Sequence, residues 1–272
     1  MAERSADDRS RQIREWLTNW AAAQHEQDGQ SRTPDNQSIW EYLSRPPRGP
    51  RPALTHNQIA TAAVQLADEA GLDAVTMRAL AKRLDVATMG LYRYVRGKDD
   101  IYALMLNTAV GEISLPDKHD DDWRAAFRRL AGEMRGMYLR HTWLPQLEAG
   151  TFGMIAPNSL AVIEAGLAAL DNVGRDLDVD EMMAAAGAIA AYVRGSATSA
   201  IARQEAYRRF GWSSDDDMRA ASGPPLLRVL ARGDYPTLAR YIVDGSNEDD
   251  DEWQFSFGLE CVLGGVAARL GI

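Results

Sequence analysis

Residues 55–106 read THNQIATAAVQLADEAGLDAVTMRALAKRLDVATMGLYRYVRGKDDIYALML, and this stretch decides the interpretation of the whole chain. It opens with Thr55, followed three residues later by Gln58, which is the spacing of a capping box at a helix start. Apolar residues then recur three and four positions apart in one stripe, formed by Ile59, Ala63, Leu66 and Ala67. The spacing predicts an amphipathic helix that ends before Gly71.

Three further helices are predicted after Gly71. Thr76 caps a short helix, and a turn at Asp85-Val86 separates it from a third helix, Thr88–Tyr94. A fourth helix runs from Lys98 to Ile113, and Pro116 is its predicted end. Short helices joined by tight turns, with arginines and lysines among them, are the layout of a helix-turn-helix DNA reader.

In such a reader the third helix lies in the major groove, and the neighbouring helix ends hold phosphates. Leu91 and Val95 are expected to face the core with Val86. The outer face, which is predicted to meet DNA, then comprises Thr88, Met89, Gly90, Tyr92, Arg93 and Tyr94. A methionine offers an apolar surface to a thymine methyl, a glycine lets the backbone approach closely, and hydroxyls suit phosphate oxygens. The predicted phosphate contacts at helix starts are Thr76, Arg78 and Lys98.

The distribution of charge fits a DNA contact confined to one part of the chain. Net charge is −9 overall, yet residues 45–98 carry 9 basic against 4 acidic residues, a net of +5. Residues 99–272 carry 16 basic against 27 acidic residues, a net of −11. Screening limits each exposed charge to about 8–10 Å, so a local basic segment still holds phosphates while the acidic remainder repels DNA.

The rest of the chain also predicts helices, and hence an all-α fold. Helical spacing covers Asp121–Arg140, Pro157–Val173, Val179–Arg209, Leu226–Leu230 and Trp253–Leu270. No apolar run approaches the roughly 20 residues of a membrane span, and the first residues do not look like a secretory signal. The single cysteine, Cys261, excludes an intramolecular disulfide, agrees with a reducing cytoplasm and is expected to be a buried packing thiol. The acidic stretch Asp244–Glu252 is expected to be a solvated loop.

Residues 1–52 form an extension ahead of the DNA reader. Its first part has an apolar helical stripe of Ile13, Trp16, Leu17 and Trp20, and a second helical piece follows at residues 38–43. The favoured interpretation is that the stripe packs on the body of the protein or on a dimer mate; an arm for a partner or for DNA is the alternative. A proline-rich basic segment then carries Arg45, Arg48 and Arg51. These arginines are expected to contact the minor groove or phosphates, and a solvated linker is the alternative.

Two strings in the reader carry a family resemblance. They are TMRALAKRL, starting at Thr76, and LYRYVRGKDDI, starting at Leu91. Over residues 54–106 the chain resembles the DNA-binding domain of the tetracycline-repressor (TetR) family of bacterial transcription regulators, and RHTWLP, starting at Arg140, more loosely resembles the C-terminal domain of the tetracycline-repressor subgroup. The resemblance implies a DNA-binding domain at 53–113 and a larger helical domain at 114–272. It also implies a homodimer on double-stranded palindromic operator DNA, released by a small-molecule effector.

Aromatic and methionine side chains in residues 120–210 suit an effector pocket, although core packing is the commoner use of each. The predicted effector contacts are Met134, Met137, Tyr138, His141, Trp143, Phe152, Met154, Met182, Tyr192 and Arg194. His141 has no second ligand three or four residues away, so no metal and no other cofactor is expected. The small-residue runs Ala184–Ala191 and Gly264–Ala268 allow either a close dimer interface or a tight crossing within one chain.

Enzyme motifs are missing from the sequence. There is no Gly-rich phosphate loop, no G-x-S-x-G and no HExxH, and the four histidines are scattered. The family resemblance implies a ligand-responsive transcriptional repressor, and the missing motifs argue against an enzyme. The alternative is a DNA-binding regulator that has no small effector and is controlled by a protein docked on residues 1–44.

Overall fold

The computed structural model describes residues 11–16, 18–19, 39–43, 54–116, 122–148 and 156–272. The chain divides into two compact units, residues 1–48 and 49–272. The predicted contacts Arg45, Arg48, Arg51, Phe152 and Met154 lie outside the described residues.

The first unit contributes two helical pieces. Residues 11–16 and 18–19 are helical, and helix α1 spans Ile39–Leu43. Ile13 is 58% exposed and Trp16 is 62% exposed, whereas Ile39 is buried. Packing of the apolar stripe on the body of the protein or on a dimer mate stays a prediction; Leu17 and Trp20 lie outside the described residues.

The second unit is helical throughout its described ranges, without a strand, and this confirms the all-α prediction. Its helices are α2 His56–Ala70, α3 Met77–Arg83, α4 Thr88–Leu91, α5 Lys98–Val110, α6 Trp123–Arg140, α7 Leu144–Glu148, α8 Pro157–Asp171, α9 Val179–Phe210, α10 Asp215–Leu230, α11 Pro236–Asp244 and α12 Asp251–Leu270. A single 3-10 turn, Leu72–Ala74, joins α2 to α3. Within the described ranges, no helix combines the length and the apolarity that crossing a membrane requires.

Packing follows the apolar stripes of these helices. The stripe of α2 lies against α5, and the long helix α9 is packed between α6, α8 and α12. The capping box of α2 is present, because Thr55 Oγ1 accepts from Gln58 N and Gln58 Oε1 accepts from Thr55 N at 2.8 Å. Helix α5 packs on α2 and also contacts α6 and α8, so it connects these parts of the unit.

The helix predicted as Lys98–Ile113 is three residues shorter in the structure, where α5 ends at Val110. Asn158, at the start of α8, donates from Nδ2 to the carbonyl of Asn107 at 2.7 Å, and its own N–H donates to Asn107 Oδ1 at 2.9 Å. The neighbour across this junction is Gly111, which leaves room for the Asn158 amide. A side chain from another helix thus caps the end of α5, so the position of this end depends on a residue about 50 positions away in the sequence.

Two expectations about the last third of the chain are wrong. Cys261 is exposed, since the buried stripe of α12 includes Leu259 and Leu263 and a residue halfway between them faces the other way. The acidic stretch from Asp244 is only partly a solvated loop. Arg219 pairs with Glu248 and Asp249, Arg203 pairs with Asp251, and Glu252 accepts from Arg135 at 2.7 Å. These ion pairs tie the stretch to α6, α9 and α10.

Candidate nucleic-acid interface and central cavity

The three helices α2, α3 and α4, with the start of α5, form the candidate DNA-binding head. Thr76 caps α3 by accepting from Ala79 N at 3.1 Å, and Leu80 is fully buried. Asp85 follows α3 with a φ of +53°, a left-handed conformation that Asp adopts more readily than most residues. This reversal sends the chain from α3 into α4, so the predicted turn at Asp85-Val86 is confirmed.

The predicted third helix is shorter than expected. Helix α4 spans only Thr88–Leu91, and residues 92–94 form a turn in which Tyr94 N donates to Leu91 O at 2.9 Å. Leu91 and Val95 are buried as predicted, and they fix this element on the core of the head. Tightening of the last turn keeps residues 88–94 on one continuous bend even though the α-helix itself has a single turn.

The outer surface of this bend carries the residues predicted to meet DNA. Met89 is 76% exposed, Tyr92 is 48% exposed, and Arg93 is exposed. Thr88 and Gly90 are half-buried, and the space beside the Gly90 Cα is open within 4 Å. A methionine so exposed has no core to fill, which makes its surface available to another molecule.

Tyr94 is placed differently from the others. It is half-buried, its carbonyl lies 2.9 Å from His56 Nε2, and its ring meets the His56 ring edge-on at a centroid distance of 5.9 Å. The contact joins the bend to the first turn of α2. His56 was missed from the sequence, because its partner is 38 residues away and no local pattern marks it.

The predicted phosphate contacts lie at helix starts. Thr76 uses its hydroxyl to cap α3, and Arg78 is exposed in the first turn of that helix. Lys98 is the first residue of α5, exposed, with its ammonium 5.1 Å from the centre of the Tyr102 ring. Each side chain is therefore at the surface or at a helix start, where backbone N–H groups favour anions.

A buried carboxylate holds the end of the bend. Asp100 is only 7% exposed, and its Oδ2 accepts from Arg96 N at 2.8 Å and from Arg96 Nε at 3.0 Å. Its Oδ1 accepts from Arg96 Nη2 at 2.8 Å. This pair ties the chain that leaves the bend to the first turn of α5. Asp100 was not predicted from the sequence, although an acid in the first turn of a helix is a recognisable signal.

A cavity of about 390 Å³ lies in the C-terminal part of the unit, between α5, α6, α8 and α9. Its walls include Leu106 and Val110 of α5, Val162 and Gly166 of α8, and Ala190 of α9. Ser159, Tyr138 and Arg194 supply polar side chains, and none of the described lining residues is a carboxylate. The volume and the predominantly apolar lining are those of a site for a drug-sized molecule.

Four of the predicted effector contacts line this cavity: Met134, Met137, Tyr138 and Arg194. Four others are elsewhere: His141, Trp143, Met182 and Tyr192. Met182 is buried on the neighbouring face of α9, and Met183 lines the cavity in its place. The ring of Tyr192 stacks on Phe255 of α12, and its hydroxyl donates to the Phe255 carbonyl at 2.8 Å. Burial raises the pKa of this phenol.

His141 and Trp143 belong to a polar group that we call the His141 cluster, formed by these two buried rings and by the partly exposed carboxylates of Asp68 and Glu112. His141 Nδ1 lies 2.8 Å from Asp68 Oδ1, and Trp143 Nε1 donates to the same oxygen at 2.7 Å. His141 Nε2 lies 3.2 Å from Glu112 Oε1. His141 is 5% exposed and Trp143 is 2% exposed. Neither side chain lines the cavity, because carboxylates from distant parts of the sequence engage their nitrogens, so an effector contact for the two stays a prediction.

The predicted dimer helices show an outward apolar face. On α12, Trp253 and Phe257 are 45% and 57% exposed and stack at a centroid distance of 5.1 Å. In the small-residue runs, Ala184, Gly187, Gly264 and Gly265 are exposed. The tight crossing within the chain is made instead at Gly258, where Tyr192 leaves no room for a side chain.

The DNA-binding head and the C-terminal part of the chain each match a family model. The family model for "Bacterial regulatory proteins, tetR family" matches residues 59–105, and the model for "Tetracyclin repressor-like, C-terminal domain" matches residues 115–270. The chain is 38% identical over 238 residues to the HTH-type transcriptional repressor DrrR1 of Streptomyces coeruleorubidus, a match that covers 86% of each protein. It is 32% identical to an HTH-type transcriptional regulator of Saccharopolyspora erythraea, over 82% of this chain and 88% of that protein.

Among solved structures, the fold resembles that of the Streptomyces coelicolor protein ActR in complex with actinorhodin. The TM-score is 0.68 at 23% sequence identity, and the match covers 81% of this chain and 99% of ActR. At this identity the likeness concerns the fold alone.

Proposed function

Because the chain belongs to the TetR family of bacterial transcription regulators, we propose that it is a cytoplasmic, ligand-responsive repressor that leaves its operator when a small aromatic molecule fills the cavity. The observation that carries the proposal is the apolar cavity of about 390 Å³ beside α5, the helix that also packs on the DNA-binding head. A ligand that prefers one arrangement of α5 over another shifts the population of the head between its states. Control by a protein on residues 1–44 has no such support.

The proposed DNA contact is made by the exposed surface of residues 88–94 and by the helix starts around it. Met89, Tyr92 and Arg93 point to solvent from a bend that is fixed on the core by Leu91 and Val95. We assign base-edge contacts to the residues of α4 and phosphate contacts to Tyr92, Arg78 and Lys98. The basic arm with Arg45, Arg48 and Arg51 is proposed to add phosphate or minor-groove contacts.

Selection of duplexes from a random-sequence library by the purified protein tests DNA binding. The proposal predicts a palindromic consensus whose half-sites are spaced by about one helical turn, or a multiple of it. Met89→Ala is expected to weaken binding to the selected duplex by about 5–100-fold, the cost of one lost base contact, and to relax the consensus at one position. Leu227→Ala changes an exposed apolar side chain of α10 and serves as the matched control. A protein that retains no sequence above background would refute the proposal.

The cavity is proposed to take a planar, largely apolar molecule with an acceptor or acidic group directed at Arg194. The absence of a carboxylate among the described lining residues disfavours a cationic group at this site. A probe is 1-anilinonaphthalene-8-sulfonate, an aromatic anion whose fluorescence rises in apolar surroundings. Gly166→Leu is the matched blocked variant, because a Cβ at Gly166 already meets Phe127 at 3.5 Å and a larger side chain extends into the cavity.

The expected result is saturable dye binding to the natural protein, its loss in Gly166→Leu, and release of the selected duplex by compounds that displace the dye. The blocked variant is expected to keep its operator when those compounds are added. Equal dye binding by both proteins would place the dye outside the cavity and contradict the effector assignment.

The outward face of α9 and α12 is proposed as the homodimer interface, with Trp253 and Phe257 at its centre. Two stacked, half-exposed aromatic rings beside exposed glycines are the kind of surface that a second subunit covers. Phe257→Asp is expected to convert the dimer to a monomer in analytical ultracentrifugation.

A further inference from the structure

The His141 cluster joins three parts of the chain, one in the DNA-binding head and two beside the cavity. Asp68 lies in the last turn of α2, in the DNA-binding head. Glu112 follows the end of α5, and His141 and Trp143 follow the end of α6. The bonds from His141 and Trp143 to Asp68 therefore run from the C-terminal part of the unit to the head.

Two of these three parts also form the cavity wall. Val110 and Ile113, on either side of Glu112, line the cavity. Met137 and Tyr138, in the last turn of α6, line it as well. His141 is attached to that turn, because its N–H donates to the Met137 carbonyl at 2.9 Å. A molecule in the cavity that separates the ends of α5 and α6 therefore also displaces Glu112 and His141, which lie within one helical turn of the cavity-lining residues.

We call the cluster closed when the contacts of His141 and Trp143 with the two carboxylates are formed, and open when they are broken. In the closed arrangement, Trp143 Nε1 donates to Asp68, and each ring nitrogen of His141 lies within hydrogen-bond distance of a carboxylate oxygen. Asp68 Oδ1 accepts from Trp143 Nε1 and contacts His141 Nδ1, and Glu112 Oε2 accepts from Arg140 Nη2 at 3.1 Å. Because His141 and Trp143 are buried, a displacement that removes these partners leaves their nitrogens without hydrogen bonds, which is costly.

We propose that the His141 cluster is the coupling element between cavity and head: it is closed in the operator-binding state and opens when the cavity is filled. The inference rests on the proposed effector function and adds the residues through which that function acts. Asp68, His141 and Trp143 are positioning residues, since they lie outside the cavity lining and outside the DNA-contacting bend of residues 88–94.

The test measures two dissociation constants for each variant, one for the selected operator duplex and one for 1-anilinonaphthalene-8-sulfonate. If only the closed state binds operator and only the open state binds dye, the dye constant divided by the operator constant is proportional to the ratio of closed to open molecules. A substitution that merely damages the fold weakens both constants, so this quotient stays the same. A substitution that opens the cluster lowers the quotient.

Two conservative variants open the cluster. Trp143→Phe keeps a buried ring and removes the Nε1 donor, and Asp68→Asn keeps the shape of the acceptor and removes its charge. Each is expected to lower the quotient about 10-fold, within the usual 5–150-fold range of coupling between sites. Glu69→Gln is the matched control, since Glu69 is the next residue of α2 and pairs only with Arg83 among its described side-chain bonds, inside the head. Its quotient is expected to stay within twofold of the natural value.

Unchanged quotients in both Trp143→Phe and Asp68→Asn, with both proteins folded by circular dichroism, would overturn the proposal. A drop of similar size in Glu69→Gln would overturn it too, because any change in α2 would then have the same effect. Failure of the underlying function looks different: the natural protein itself would show no competition between dye and operator.

Discussion

Substitution of Asp100 by alanine is expected to loosen the end of the DNA-contacting bend. Asp100 is buried in the first turn of α5, and it accepts three hydrogen bonds from Arg96, one of them from the backbone N–H. Alanine at this position removes all three. It also removes a negative charge from the start of a helix, where such a charge is favourable.

The size of the effect follows from the exposure of the two partners. The Arg96 side chain is 44% exposed, so its guanidinium regains water and the ion pair itself contributes only about 0.5–1 kcal/mol. The part-buried backbone N–H of Arg96 loses an acceptor, which costs about 1–3 kcal/mol. The helix start adds about 0.3–1 kcal/mol. A total of about 3 kcal/mol lowers the melting temperature of a unit of this size by about 6–12 °C.

The same change reaches the operator. The attachment of residues 92–96 to α5 weakens, and one or two of these residues must be ordered again on binding, at about 1–2 kcal/mol for each backbone that is fixed. An operator affinity reduced by about 10–100-fold is therefore expected, since 1.4 kcal/mol corresponds to a factor of ten. Fluorescence anisotropy on the selected duplex and thermal unfolding by circular dichroism measure the two effects.

Two related variants make the argument refutable. Asp100→Asn keeps an acceptor for the Arg96 N–H, and Arg96→Ala keeps both the carboxylate and that N–H. Both are expected to lose about half as much stability as Asp100→Ala, or less. A melting temperature of Asp100→Ala within about 2 °C of the natural protein, less than 1 kcal/mol for a unit of this size, would refute the reasoning.

Three further predictions follow from other contacts. Gly258→Ala is expected to lower the free energy of unfolding in urea titrations by about 1–3 kcal/mol, because its Cβ would lie 2.7 Å from Tyr192 Cζ. Tyr192→Phe should recover part of the loss. Gly132→Ala is the control, since the space around Gly132 is open and the change should be neutral or stabilising. Deletion of residues 1–52 is expected to weaken operator binding and to flatten its salt dependence, and an unchanged salt slope would remove the basic arm from the DNA contact. The hydrogen bond from Arg128 lowers the pKa of Glu260 below its ordinary value of 4.5. The pair therefore stabilises the fold above about pH 4.5, and this contribution is lost as pH falls through the lowered pKa. Glu260→Gln should flatten the acid side of the plot of unfolding free energy against pH, and a plot parallel to that of the natural protein would contradict this.

Local signals in the sequence predicted the elements of the head well. The Thr55–Gln58 box, the Thr76 cap and the turn at Asp85 each depend on residues within four positions of one another, so a single pattern contains the whole interaction. The length of α4 was overestimated. Its last turn tightens, and the sequence shows no breaker before Gly97 to indicate this.

Contacts between distant residues decide which of the predicted effector contacts line the cavity. Trp143 was expected in the pocket as an aromatic side chain and His141 as a polar anchor, yet both contact Asp68, more than 70 residues away. Tyr192 does not line the cavity for the same reason, because its hydroxyl bonds to α12. Met182 and Met183 differ by 100° around α9, and the helical register relative to α6 and α8 decides which of them faces the cavity.

The helices after residue 210 show a second limit. Helix α10 runs through Pro224 and Pro225, which local rules treat as an end, and it begins at a capping box formed by Ser214 and Asp217 that was available in the sequence. Helix α11 begins with Pro236 at its first turn, another available signal. Both helices are almost wholly exposed, so no buried apolar stripe marks them.

Reciprocal titration of operator and effector tests the central claim most directly. The operator affinity is measured with and without a compound that displaces the dye, and the affinity for that compound is measured with and without the operator. A ligand-responsive repressor predicts that the two ratios are equal and that both are lost in Gly166→Leu. An operator affinity that stays unchanged while the compound saturates the cavity would contradict the account.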